Sequence, residues 1–252
     1  LLPHLGGEQG RKPLNEAVPG ETLNLLVGSR PIGDSEDKDR VKLHVMKRLH
    51  DKYGITESDF ASAELEAVPA GPARDYGLDK SMIMSYGHDD RVCAYPSYRA
   101  MLELENAKRT CVCVLVDKEE IGSVGATGMQ SRFFENTVAE VMNCAGQYSE
   151  LKLRRALRNS RMLSSDVSAA FDPNYPSVME KNNSAYFGRG LTFNKYTGAR
   201  GKSGSNDANA EFMAAIRRVL DEQKVSYQTA ELGKVDQGGG GTIAYILANY
   251  GM

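Results

Sequence analysis

Cysteine is scarce in this chain, and its pattern excludes two things. The four residues Cys93, Cys111, Cys113 and Cys144 make no Cys-x-x-Cys pair, and three of them sit in apolar surroundings. Reduced structural thiols in a cytoplasm fit this usage better than a disulfide framework or a zinc-thiolate site. Charge of one sign is also lacking. A formal net charge of -2 gives no basic bias, which argues against nucleic acid or an anionic membrane as the main partner. No apolar run approaches the length needed to cross a bilayer. The opening Leu1-Leu2-Pro3-His4-Leu5-Gly6-Gly7 has neither a basic n-region nor a long apolar stretch, so it does not read as a secretory signal. Internal repeats and low-complexity tracts are absent. Histidine is sparse too: His4, His44, His50 and His88 are all there are, and His44 and His50 read as surface residues of a helical stretch.

What is present suffices for a real core. The chain has 252 residues, 41% of them apolar and 25% charged, which permits one large domain or two small ones. It begins without Met and stops at Tyr250-Gly251-Met252, just after a helical pattern, and so reads as a piece of something longer. Residues 1–36 are loop-rich around one apolar patch, Leu23 to Val27, expected as a short strand. Val41, Val45 and Leu49 recur at helical spacing and predict a helix over about 37–53. Ala63 to Val68 alternates like a strand and ends at the boundary mark Pro69-Ala70-Gly71-Pro72.

Beyond that mark, strands and helices alternate. Strands are predicted at 81–86, 110–117, 161–171 and 225–232, with an extended stretch at 186–197. Helices are predicted near 91–106, around Phe134 to Ala145, at 151–158, at 210–220 and after Gly238-Gly239-Gly240-Gly241. Such alternation argues for an α/β fold with a mixed, largely parallel sheet flanked by helices. In sheets of that kind, sites gather at the carboxyl ends of strands.

Three acidic clusters fall at predicted strand ends: Asp89-Asp90, Glu119-Glu120 and Asp166. Adjacent carboxylates at a strand mouth repel each other and lose hydration, and a metal ion or a proton relieves both penalties. Each cluster alone has a structural reading, with Asp89 capping the helix from Arg91, Glu119-Glu120 in a solvated loop, and Asp166 capping a turn. Together, on one rim, they suit hard or borderline divalent metals. Competing motifs are weaker. Gly122-x-x-Gly125-x-x-Gly128 lacks the opening of the dinucleotide fingerprint and has two carboxylates where a pyrophosphate would approach. Gly201-Lys202-Ser203 ends like a P-loop, but Tyr196 stands where the first Gly belongs. The Gly238 to Gly241 run offers backbone N–H groups to an oxyanion or serves as a flexible turn.

Four segments in order, Gly87-His88-Asp89-Asp90-Arg91, Asp117-Lys118-Glu119-Glu120-Ile121-Gly122-Ser123, Ser164-Ser165-Asp166-Val167-Ser168 with Pro173-Asn174-Tyr175, and the Gly-rich run before Thr242, carry a resemblance. The chain resembles the aspartyl aminopeptidase family of dinuclear zinc metallopeptidases, from about residue 60 to its end. The resemblance implies a zinc-peptidase core over residues 61–252, and the C-terminal part of an inserted dimerisation domain over residues 1–60. It implies two divalent metal ions, with Asp89 bridging them, Glu120 and Asp166 as ligands of one each, and Glu119 as general base. Asp89 rather than Asp90 matches as the first acid of the pair, and a cis peptide bond after it is implied. His4, Gly240 and Thr242 are implied to face substrate. Peptide substrate, a cytoplasmic location and a dimer-based homo-oligomer reaching a dodecamer are further implications.

The resemblance has gaps. The family's His-x-Asp motif and its C-terminal histidine have no counterpart here, which leaves each ion two protein ligands where zinc sites use three or four. Weak metal binding and no turnover are therefore expected of this polypeptide alone. A preference for acidic N-terminal residues would need a cation, and Arg189, Lys195, Arg200 and Lys202 are the candidates. Two other readings stand beside the peptidase: a non-catalytic assembly subunit of the same fold, and a nucleotide-binding α/β protein.

Overall fold

A computed structural model describes residues 2–33, 38–199 and 203–252. The chain divides into two compact units, Leu1–Pro69 and Ala70–Met252. The division falls at the Pro-Gly-Pro mark, nine residues beyond the expected domain limit at residue 60.

In the first unit, helix α1 (Arg40–Tyr53) half-buries Val41, Val45 and Leu49, the spacing that predicted it. It stops at Gly54, whose left-handed φ of 71° turns its N–H back onto the His50 carbonyl at 2.8 Å. His44 is half-buried rather than a surface residue, with Nδ1 2.8 Å from the Arg30 carbonyl. Helix α2 (Glu57–Ser62) starts in a reciprocal box in which the Thr56 hydroxyl accepts from Asp59 N–H and the Asp59 carboxylate accepts from Thr56 N–H. Leu23 to Val27 forms no strand, and Leu26 is 89% exposed.

The second unit holds six short strands and five helices among its described residues. Strands β1 (Arg74–Tyr76) and β2 (Met82–Met84) pair antiparallel. Helices α3 (His88–Leu102), α4 (Phe133–Cys144) and α5 (Glu150–Arg158) follow. Strand β3 (Leu191–Phe193) pairs in parallel with β6 (Tyr227–Thr229), and between them in sequence lie the antiparallel hairpin β4 (Tyr196–Ala199) and β5 (Ser203–Asp207) and helix α6 (Ala210–Glu222). A four-residue helix α7 (Ala244–Leu247) comes last. Side-chain caps start two of these helices: Ser149 accepts from Lys152 N–H, and Asn209 from Phe212 N–H.

The α/β class therefore holds, with helices outnumbering long strands. Three predicted strands, at 63–68, 110–117 and 161–171, form no ladder among the described residues, apart from one parallel bridge between Ala170 and Ala185. Side-chain alternation belongs to any extended backbone, whereas a strand also needs a hydrogen-bonded neighbour. Residues 161–170 show the difference. Odd positions are exposed and even ones half-buried along the whole run, yet no ladder forms. Both extended segments feed the core. Met129, Ile246 and Leu247 are buried together, with Val114, Val116 and Met162 packed against them. Val116 lies three residues before Glu119, and Met162 four before Asp166.

Candidate metal centre

Each acid reaches the site by a different local device. Gly87, at φ 68°, turns the chain into α3, whose helical backbone is interrupted at Asp89 (φ -78°, ψ 114°) and Asp90 (φ -111°, ψ 15°). The peptide bond between them is cis, as the resemblance implied. The N-cap position of α3 is Gly87, two residues before Asp89. Asp166 lies on the half-buried face of its extended segment, and one of its oxygens accepts from Val167 N–H at 2.7 Å.

Glu119 and Glu120 open a single 3-10 turn, Glu119–Ile121, in a loop closed at its base by Asp117 and Thr127. Asp117 N–H donates to the Thr127 carbonyl at 3.3 Å, and the Thr127 hydroxyl returns a bond to the Asp117 carboxylate at 3.1 Å. Inside the loop the Ser123 N–H meets the Lys118 carbonyl at 2.7 Å, and Ser123 itself is buried. A Cβ at Gly128 would run into the Ser123 carbonyl, and Gly122 adopts a left-handed φ of 94°. The glycine spacing thus serves this turn, and the carboxylates stand at its mouth.

The structure brings Asp89, Asp90 and Asp166 together, with one carboxylate oxygen from each lying within 4.8 Å of the others. Glu119 and Glu120 stand outside that triad yet close enough to act on it. Burial lifts the Asp166 carboxyl above its ordinary value, and repulsion from Asp90, Asp89 and Glu120 lifts it further, against the opposing Val167 N–H. Glu119 is raised by burial first, then by Asp166, Glu120, Asp89 and Asp90. Burial also raises Asp90, with Asp89 adding to it and a bond from Cys93 opposing. Among the described residues, no lysine or arginine figures among the main influences on these three groups. Asp117 shows the contrast: the Lys118 N–H and Thr127 hydroxyl hold its carboxyl low.

The carboxylates of Asp89, Asp90 and Asp166, with Glu119 and Glu120 acting on them, make an all-oxygen donor set. That set fits a hard or borderline divalent ion. Cys93 was not singled out from the sequence. One helical turn beyond Asp90, its thiol is pushed up to about 11 by burial and by Asp90, to which it donates.

The other candidates are placed as follows. Thr242 accepts from the Ser164 hydroxyl at 2.7 Å and so is tied two residues from Asp166. The Gly240 carbonyl accepts from Gly198 N–H at 2.8 Å. The glycine run does not open a long helix, because α7 begins at Ala244 and has four residues. His4 is an exposed turn residue of the first unit. Of the cation candidates, Lys195 pairs with Asp207 and Arg189 stacks 4.6 Å over the Tyr186 ring, while Arg200 and Lys202 lie outside the described residues.

Comparison with known proteins bears on this arrangement. The model of the family described as aminopeptidase I zinc metalloprotease (M18) matches residues 1–252. A probable M18 family aminopeptidase 1 of Clostridium acetobutylicum is 67% identical over 252 residues, all of this chain and 54% of that protein. The crystal structure of an M18 aminopeptidase from Thermotoga maritima, 45% identical, covers all of this chain and 55% of its own, with a TM-score of 0.91. The structure of the S. cerevisiae mApe1 dodecamer, 18% identical, covers 83% of this chain and 46% of its own at a TM-score of 0.57, and shows likeness of fold alone. The chain spans about half the length of the curated relatives it matches. On the match of the family model across its full length, the chain belongs to the M18 aminopeptidase I family of zinc metalloproteases.

Proposed function

We propose that this chain carries the acidic half of a metal-dependent aminopeptidase site that removes N-terminal residues from peptides. The observation that supports this best is the triad of Asp89, Asp90 and Asp166, with Glu119 raised by burial and by Asp166, Glu120, Asp89 and Asp90. Asp89, Glu120 and Asp166 would hold two zinc ions. Asp90 stands close enough to share the first position. When bound, such ions supply Lewis acidity toward a carbonyl and an acidified water.

The chain's own part is proton handling and positioning. Glu119, raised by burial and by its acidic neighbours, is poised to accept a proton from water and return it to the departing amine. Its pKa lies above the ordinary 4.5, which moves its basicity toward the operating range. Gly240 and Thr242, the latter tied to the extended segment of Asp166 through Ser164, face the peptide, and His4 belongs to the substrate side of an assembled oligomer. Residues of the first unit form the end of a dimerisation domain. The working form is a cytoplasmic homo-oligomer built from dimers, up to a dodecamer.

The test is Glu119→Gln in the full-length protein. Zinc content by equilibrium dialysis should stay near the parent level while turnover of aminoacyl chromogenic substrates falls by at least about 100-fold. Parent-like turnover would remove Glu119 from the role. A loss of zinc equal to the loss of turnover would recast it as a ligand.

A further inference from the structure

A second carboxylate site, at Glu231, connects to the acidic cluster through stretches of backbone and two hydrogen bonds. A hollow of about 240 Å³ is lined by Tyr196, Thr197 and Gly198 of β4, by Asn183, and by residues 231–235 and 238–240. The glycine run forms the link. Its Gly240 carbonyl accepts from Gly198 N–H at 2.8 Å, and two residues on Thr242 holds the Ser164 hydroxyl at 2.7 Å, beside Asp166. Glycine is needed here, since a Cβ at Gly238 would collide with the Leu232 carbonyl.

Glu231 is fixed in this hollow by its backbone. Its N–H donates to the Asn183 carbonyl at 2.8 Å, and its carbonyl accepts from Gly233 N–H at 3.1 Å. One carboxylate oxygen accepts from Tyr196 N–H at 3.3 Å. Burial raises its pKa above the ordinary value and Asp207 adds to that, while Lys195 lowers it only in part, being paired with Asp207. Lys234 also lines the hollow. Leu232 and Val235 supply apolar wall. An apolar wall beside a carboxylate matches a side chain with an aliphatic stem and a cationic or hydrogen-bond-donating tip.

We propose that this hollow receives the side chain of the peptide's N-terminal residue, and that Glu231 selects lysine and arginine there over glutamate and aspartate. The inference rests on the aminopeptidase reading and departs from the acidic preference that the family resemblance implied. It also accounts for the state of the described cation candidates. Lys195 is held by Asp207, and Arg189 is stacked on Tyr186.

The experiment measures kcat/KM of the zinc-loaded full-length protein on lysyl, arginyl, leucyl, glutamyl and aspartyl p-nitroanilides. The parent should favour lysine over glutamate by about tenfold or more, the scale of a charge-assisted bond gained in one case and a like-charge contact in the other. In Glu231→Gln that ratio should fall toward unity, mainly through KM, and in Glu231→Lys it should invert. A lysine-to-glutamate ratio indifferent to both Glu231 substitutions overturns this proposal alone. Absence of turnover on every substrate by the zinc-loaded parent overturns the aminopeptidase reading and this proposal with it.

Discussion

The acidic cluster and the Glu231 hollow handle negative charge in opposite ways. At the cluster, carboxylates from three segments converge, and burial together with neighbouring acids raises Asp90, Glu119 and Asp166. At the hollow a single carboxylate is partly served, by a backbone N–H from Tyr196 and by the nearby Lys195. The first arrangement is unfavourable until a cation arrives, which suits a site that binds ions. The second is bearable without a ligand and gains from one, which suits a site that selects among substrates.

The sharpest way to break this contrast is to remove charge from the cluster. Asp166→Asn should weaken zinc binding in the full-length protein by at least about 100-fold, more than the loss of an outer partner costs, read by equilibrium dialysis. The same substitution should stabilise the zinc-free protein, because a desolvated and repelled carboxylate is gone. Opposite signs with and without metal are the expected result, and equal signs in thermal unfolding would break the comparison. Zinc removal from the parent comes next. A chelator should lower stability by about 3 kcal/mol if zinc had been held at 100 times its Kd, measured by denaturant unfolding.

Acidity sharpens the point further. In the zinc-free protein the folded pKa of Asp166 lies above the ordinary 3.8, so over that interval the folded state holds more protons than the unfolded chain. Its contribution to stability therefore falls as pH rises through the folded value, and is worst at neutrality. The melting-temperature difference between Asp166→Asn and the parent should widen from acid to neutral pH. A difference flat with pH would mean that the carboxylate is not strained by burial and neighbours. The smallest effect concerns the link between the two sites. Ser164→Ala deletes the bond to Thr242 and should cost about 1 kcal/mol of stability by urea denaturation.

Helices were legible in the sequence to within a few residues. The spacing of Val41, Val45 and Leu49 predicted α1, and the pattern from Ala210 to Leu220 predicted α6, because helical hydrogen bonds close within the segment itself. Strands were legible only as extended backbone. Residues 161–170 alternate as expected, but pairing depends on a partner elsewhere in the chain and cannot be written into one segment. The acidic residues were legible as three separate clusters at strand ends. That Asp90 rather than Glu120 completes the tight triad depends on the backbone path at Asp89 and Asp90, which residue type does not reveal. Cys93 carried a faint signal, being three residues past Asp90 on a predicted helix. Glu231 carried none, since nothing local marks it as desolvated.

The sequence by itself determined the helices, the turn glycines and the family, since each depends on residues close together or on motifs kept in order. Tertiary structure alone decided which carboxylates meet, which lysine is already paired, and that Glu231 borders a hollow linked to the acidic cluster. Those facts are distances between parts of the chain far apart in sequence. Coulomb interaction and desolvation, which give the acids their chemistry, depend on such distances and on burial rather than on residue type.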